Sequence, residues 1–326
     1  MDISQSVWDM APGISASEIN WPTLLAIKTS NLWALVDGVN WPEIQSILAE
    51  HLPSHACLYS TTDPDSQRIA PWLIRIEPDS PLLNLLQHRD PDTHAFVLFH
   101  SSLGLKQLRD HFRHFTLLWT PANTDAPVYF RFYDPRVLLD MACALTGNKL
   151  MQFYAGIDAF YAPLSARMRL PESTGLEAML PGEQANAQGR LIQLTLQDST
   201  QTPARSARSF RVNQSEYEAF LHLAQQRSPL NLAAELYTTH KQMFPAELYQ
   251  KVALIACQQA PGYNLTTQNG LRILASCLLW LGPEFPQNDL AAEILLTDEQ
   301  PDRIHHLHAW LQTNQSIEVA KAAWSL

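Results

Sequence analysis

Short apolar runs alternate with amphipathic stretches through the first half of the chain. Leu32–Val36, Trp72–Ile76 and Ala95–His100 are apolar at nearly every position, which is typical of strands buried on both faces. The stretches between them carry apolar residues at spacings of three and four, which predicts helices. This interleaving predicts an N-terminal lobe of the α+β or mixed α/β class, with helices flanking a mixed sheet, over residues 31–162.

The hydrophobic period becomes purely helical after Asn213. Asn213 and Glu216 match a capping box at the start of one helix. A second helix is predicted over Leu230–Met243, and Pro245 opens the next of several more. We therefore predict an all-α C-terminal lobe over residues 214–326.

Two segments lie outside these lobes. Residues 1–30 are predicted to be an extension that packs in pieces or becomes ordered only with a partner. Residues 163–213 form a connector rich in Pro and Gly, in which Arg190–Leu196 is predicted to pair with Phe210–Val212 as a β-hairpin. The connector holds six Arg against four acidic residues, so it either bridges two acidic lobes or faces a partner.

The densest pattern in the chain is the stretch from Val128 to Leu139. Val128–Tyr133 is aromatic or apolar except at Arg131, which predicts a largely buried strand. Asp134 and Pro135 then suit the N-cap and the first position of a helix. Arg136 places a cation in the first turn, against the helix dipole, so we expect it to have an acidic partner.

The predicted helix Leu103–Phe115 is strongly amphipathic. Lys106, Arg109 and Arg113 share its polar face at spacings of three and four. This basic face either is solvated or docks an acidic partner, and the spacing alone does not choose between the two.

The charge and apolar content restrict the class of protein. A net charge of −10 argues against a general nucleic-acid binder, which needs clustered Lys and Arg. The longest apolar run, Ile273–Leu281, is too short to cross a bilayer. Because the sequence begins M-D-I-S-Q, without a signal-peptide pattern, we expect a cytoplasmic protein with no membrane insertion.

Candidate chemistry is sparse. The four cysteines are scattered and are expected to be buried reduced thiols rather than disulfides or zinc ligands. His88-Arg89-Asp90 matches part of a kinase catalytic loop without its other motifs, and His305 with His308 makes a weak metal pair. We expect no catalytic residues, no cofactor and no metal, and therefore no enzyme.

Four ordered segments resemble a known family. They are L-W-A-L-V-D-G at Leu32–Gly38, A-P-W-L-I-R-I at Ala70–Ile76, the Ser101–Arg113 segment, and F-R-F-Y-D-P-R-V-L at Phe130–Leu138. Together they are similar to the effector chaperone (adaptor) family of bacterial type VI secretion systems, whose domain is labelled as a domain of unknown function, number 4123. Ala70 stands where that family usually has Gly.

The resemblance implies a non-enzymatic chaperone that binds a specific secreted effector in the cytoplasm and helps load it onto the VgrG spike protein. It also implies a set of motif residues that either form an internal ion-pair network or meet a partner: Arg109, Arg113, Arg131, Asp134, Pro135 and Arg136. The alternative that remains is a structural or self-assembling interaction protein without effector cargo.

Overall fold

The computed structural model of the protein describes residues 9–183, 189–197, 209–240, 243–265, 267–297 and 299–325. The chain divides into two compact units. The first comprises residues 1–179 and 184–225, and the second comprises residues 180–183 and 226–326.

Within the described ranges, the first unit contains the strands, seven α-helices and the start of an eighth. The strands are β1 (Ile14–Ile19), β2 (Asn31–Asp37), β3 (His55–Cys57), β4 (Pro71–Arg75), β5 (Phe96–Ser101), β6 (Leu117–Thr120), β7 (Asn123–Tyr129), β8 (Ala159–Pro163), β9 (Leu191–Leu196) and β10 (Phe210–Arg211). The helices are α1 (Trp21–Ala26), α2 (Ile44–His51), α3 (Pro64–Arg68), α4 (Pro81–His88), α5 (Leu105–Arg113), α6 (Pro135–Ala144) and α7 (Gly147–Phe153).

Seven strands form one sheet in the order β1-β9-β8-β5-β2-β4-β3, and every pair in it is antiparallel. β2 lies near the middle, where Ala34 pairs with Leu98 of β5 and with Ile74 of β4. Three further strands form a small mixed sheet in the order β10-β6-β7. The fold class is therefore confirmed for this part of the chain.

Both faces of the large sheet are buried. Alternate residues of β2 point to opposite sides, so Trp33 and Leu35 join a core with α5, α6 and α7, whereas Ala34 and Val36 join a second core with α1, α2 and α4. The central strands β2, β4, β5 and β8 are therefore apolar on both faces, which explains the continuous apolar runs in the sequence.

The second unit is helical, as predicted. Its helices are α9 (Ala246–Gln259), α10 (Gln268–Leu281), α11 (Asp289–Thr297), α12 (Gln300–Asn314) and α13 (Ile317–Trp324), preceded by the second half of α8 (Gln214–Thr239). α10 is the central helix of this unit: Leu274, Cys277 and Leu278 are completely buried in its core.

Three predictions about individual elements are wrong. The connector does not form the predicted hairpin, because β9 pairs with β1 and β8 while β10 pairs with β6. The two helices predicted after Asn213 are one helix, α8, which continues through Pro229. The predicted strand Val128–Tyr133 is displaced: β7 ends at Tyr129 and is largely exposed. The division of the chain at residues 30, 162 and 213 stays a prediction.

Candidate functional site

The apolar run after β7 forms a turn rather than a strand. Phe130 and Phe132 are buried among other aromatic rings, with the ring centroids of Phe132 and Phe112 5.6 Å apart. The backbone N–H of Asp134 donates to the carbonyl of Arg131 at 2.9 Å, which closes the turn. The aromatic residues thus fill the core from a turn. The prediction of a strand here is wrong because a run of aromatic residues indicates burial in either structure.

This turn places Arg131 against the end of β2. A guanidinium nitrogen of Arg131 donates to Asp37 Oδ2, and the Asp37 side chain is 0 % exposed. Asp37 Oδ1 accepts the backbone N–H of Val39 at 2.9 Å. The carboxylate is therefore held from both sides, by one cation and by the turn that follows its strand.

Asp134 caps the next helix and binds the cation in its first turn. Its Oδ1 accepts the backbone N–H of Arg136 at 2.9 Å and the Nε of Arg136 at 3.0 Å, and its Oδ2 accepts a terminal nitrogen at 2.7 Å. Such a two-point contact is among the stronger pairings of a guanidinium. The expected acidic partner of Arg136 is thus Asp134, with Pro135 buried between them as the first residue of α6. We call Asp37, Arg131, Asp134 and Arg136 the arginine corner.

Burial and charge act in opposite directions on the two carboxylates of the arginine corner. Burial raises the pKa of Asp37, and the Arg131 guanidinium offsets this only in part. Burial also acts to raise the pKa of Asp134, but hydrogen bonds and attraction from Arg136 outweigh it and hold that pKa below its usual value. Burial acts to lower the pKa of Arg131, but the negative charge of Asp37 outweighs burial and raises that pKa above its usual value. Arg131 therefore remains a cation.

Two tyrosines lie beside this corner. The hydroxyls of Tyr59 and Tyr133 are 3.4 Å apart, and burial raises the pKa of both. Behind the corner, His94 Nε2 is 2.8 Å from Ser165 Oγ, and both side chains are buried. This contact joins His94, just before β5, to the segment that follows β8.

Arg113 joins the same region from α5, but Arg109 does not. The Arg113 guanidinium donates to the carbonyls of Leu58, Cys57 and Tyr59 at 3.1, 3.2 and 3.2 Å. Arg109 instead contacts its neighbour Asp110 at 3.2 Å, with more than a third of its side chain exposed. Arg113 therefore holds the chain at the end of β3, whereas Arg109 belongs to the solvent-facing side of the helix.

Sequence reasoning missed Asp37 as the partner of Arg131. A usable signal existed, because the first of the family-like segments ends in Asp37-Gly38. Gly38 also has a steric role: a Cβ there would lie 2.4 Å from the carbonyl oxygen of Arg68. A side chain next to Asp37 would thus push the β2 turn away from its neighbour.

Other candidate sites have ordinary structural surroundings. Arg89, from the kinase-like triplet, lies over the Trp41 ring and donates to the Asn40 carbonyl. The four cysteines are free thiols. Within the described ranges, no group of three or more His, Cys, Asp or Glu side chains is arranged to hold a metal ion. No helix in the same ranges is both long and apolar enough to cross a membrane.

Comparison with protein families places the arginine corner in a recognised domain. The family model described as Domain of unknown function (DUF4123) matches residues 32–152, which is less than half of the chain. The match includes all four family-like segments, and it runs from β2 to the end of α7. This domain is generally linked to chaperones and adaptors of type VI secretion effectors. No curated protein and no solved structure matches the chain.

Proposed function

We propose that the protein is a non-enzymatic chaperone of the type VI secretion system, acting in the cytoplasm. It binds one cognate effector and helps to load that effector onto the VgrG spike. The observation that carries this proposal is the family match over residues 32–152, which contains both ion pairs of the arginine corner. The network of internal bonds around that corner fits a binding scaffold better than a catalytic site, since each charged group holds a neighbouring segment of the fold.

The proposal is tested by affinity capture of the tagged protein from its native bacterium under secretion-active conditions. Mass spectrometry should find a toxin-like protein, with or without VgrG, that is absent from a tag-only control. Deleting the gene for this protein should then stop secretion of the captured effector while VgrG is still secreted.

Recovery of the protein alone would refute the chaperone proposal. Light scattering of the purified protein would then examine the self-assembling alternative, which requires a stable homo-oligomer.

A further inference from the structure

A groove of about 630 Å³ lies in the helical unit between α10 and α12, and residues at the end of α8 close one side. That volume is within the range of about 300–1,000 Å³ that is usual for binding sites. None of the family-like segments contributes to it, because its lining residues lie between positions 239 and 315. We call it the α10–α12 groove.

The shape of the groove fits an elongated ligand. Along α12 and its C-cap residue, lining residues recur at spacings of three and four from Pro301 to Gln315. At about 1.5 Å per residue, this wall is about 21 Å long. A phosphate or a single carboxylate would occupy only a small part of that length, whereas a helix of about four turns would fill it.

The floor and the walls differ in chemistry. Ile273 and Leu311 are buried beneath the groove, while Arg272, His305 and His308 are exposed along it. Among the described residues that line the groove, none is Asp or Glu. Arg272 donates to the neutral Asn269 Oδ1 at 2.9 Å, and in the described part of the chain it forms no ion pair. The groove therefore presents an apolar floor between cationic or neutral walls.

The lack of acidic residues in the groove lining contrasts with the composition of the helical unit as a whole. Residues 226–326 contain six Lys and Arg against nine Asp and Glu. The groove lining differs from this composition, because it holds Arg272 and no acidic residue, so the groove itself favours an acidic segment over a basic one.

One wall of the groove is already fixed. The indole N–H of Trp280 donates to His240 Nδ1 at 3.0 Å, so the His240 proton lies on Nε2, which donates to Ser276 Oγ at 3.2 Å. His240 and Ser276 both line the groove. A wall held in this way loses little conformational freedom when a ligand binds.

From its length, its apolar floor and a lining that holds Arg272 but no Asp or Glu, we propose that the α10–α12 groove binds an acidic amphipathic helix of a protein partner. The apolar face of that helix would lie on Ile273 and Leu311, with its carboxylates beside Arg272 and His308. That this partner is the secreted cargo rests on the proposed function, but the preference of the groove for an acidic helix does not.

The test uses a fluorescent peptide of about 14 residues, with Leu at helical spacing and Glu elsewhere, and the full-length protein. Fluorescence polarisation should show binding that weakens as NaCl is added. Arg272→Glu should weaken binding at least about tenfold, and His308→Glu should act in the same direction. Lys321→Glu is the matched control, since it makes the same charge change at an exposed position of α13 and should leave binding unchanged.

Three outcomes would overturn the inference: no binding by the wild-type chain, equal weakening by the Lys321 control, or equally strong binding of a peptide with Lys in place of Glu. Complete displacement of the acidic peptide by inorganic phosphate at constant ionic strength would indicate a small-anion site and would also overturn it. Because the assay requires no effector, a failure here leaves the chaperone proposal standing. Conversely, failure of the capture experiment leaves the preference of the groove intact.

Discussion

Arg109 and Arg113 are one turn apart on α5, yet the structure predicts a much larger loss of stability when Arg113 is removed than when Arg109 is. The sequence pattern placed both on one basic face that either is solvated or docks an acidic partner. Arg113, however, joins α5 to three consecutive carbonyls at the end of β3. Arg109 contacts only the adjacent Asp110 among the ion pairs of the described residues.

The size of the effect follows from these contacts. A hydrogen bond to a charged group contributes about 1.5–3 kcal/mol, and three bonds to one partly buried guanidinium are not additive. We expect Arg113→Ala to cost about 2–4 kcal/mol. For a unit of this size, about 2–4 °C is lost per kcal/mol, so the melting temperature should fall by about 5–15 °C. Arg109→Ala removes a surface ion pair, which contributes about 0–1 kcal/mol.

Differential scanning calorimetry of both variants measures the two shifts side by side. Hydrogen exchange followed by mass spectrometry should also show faster exchange in peptides that contain β3, only in the Arg113 variant. Arg113→Lys keeps the charge, but one ammonium cannot span three carbonyls, so it should recover only part of the loss. Equal shifts for the two alanine variants, or full recovery with Lys, would refute this account of Arg113.

Three further predictions concern other parts of the molecule. Arg131→Ala should cost about 3–5 kcal/mol in urea unfolding, because it leaves the buried Asp37 unpaired; a double variant with Asp37→Asn should lose less. Burial acts to raise the pKa of Glu216, but hydrogen bonds from Lys149 and the backbone outweigh it and lower that pKa. The stability that Glu216 contributes is therefore complete above about pH 4.3 and lost as the pH falls further, so urea midpoints of Glu216→Gln should depend less on pH in that range. Gly282→Ala should destabilise the helical unit by about 1–3 kcal/mol in calorimetry, because φ is +89° and a Cβ would lie 2.6 Å from that of Ala323.

The central strands of the large sheet could be predicted because they are buried on two faces. Leu32–Val36 and Ala95–His100 leave no polar face that would suggest another structure, and they correspond closely to β2 and β5. The pairing of strands could not be predicted in the same way. β1 and β9 pair across about 180 residues, from Ile14↔Leu196 to Ile19↔Leu191, and no local pattern specifies such a partner.

Only the local part of the arginine corner could be predicted from the sequence. Asp134, Pro135 and Arg136 were assigned correctly because capping chemistry acts within one turn. Arg131 needed a partner 94 positions away, and nothing near it in the sequence identified that partner. The aromatic run before Asp134 was predicted as a strand because its composition indicates burial. Composition does not show whether a buried backbone is extended or turns.

On the proposed chaperone function, the contacts of the motif residues bear on which surfaces could recognise a partner. Arg113, Arg131 and Arg136 each bind a carbonyl or carboxylate of the same unit, so a partner that competed for them would first have to break the fold. Residues that hold a scaffold can be shared by proteins with different cargo, whereas residues that select cargo must differ. We therefore infer that selectivity lies outside the arginine corner, in surfaces such as the exposed side of α5 and the α10–α12 groove. This inference predicts that exchanging groove residues between two such proteins would exchange their peptide preference, while exchanging the corner would only affect stability.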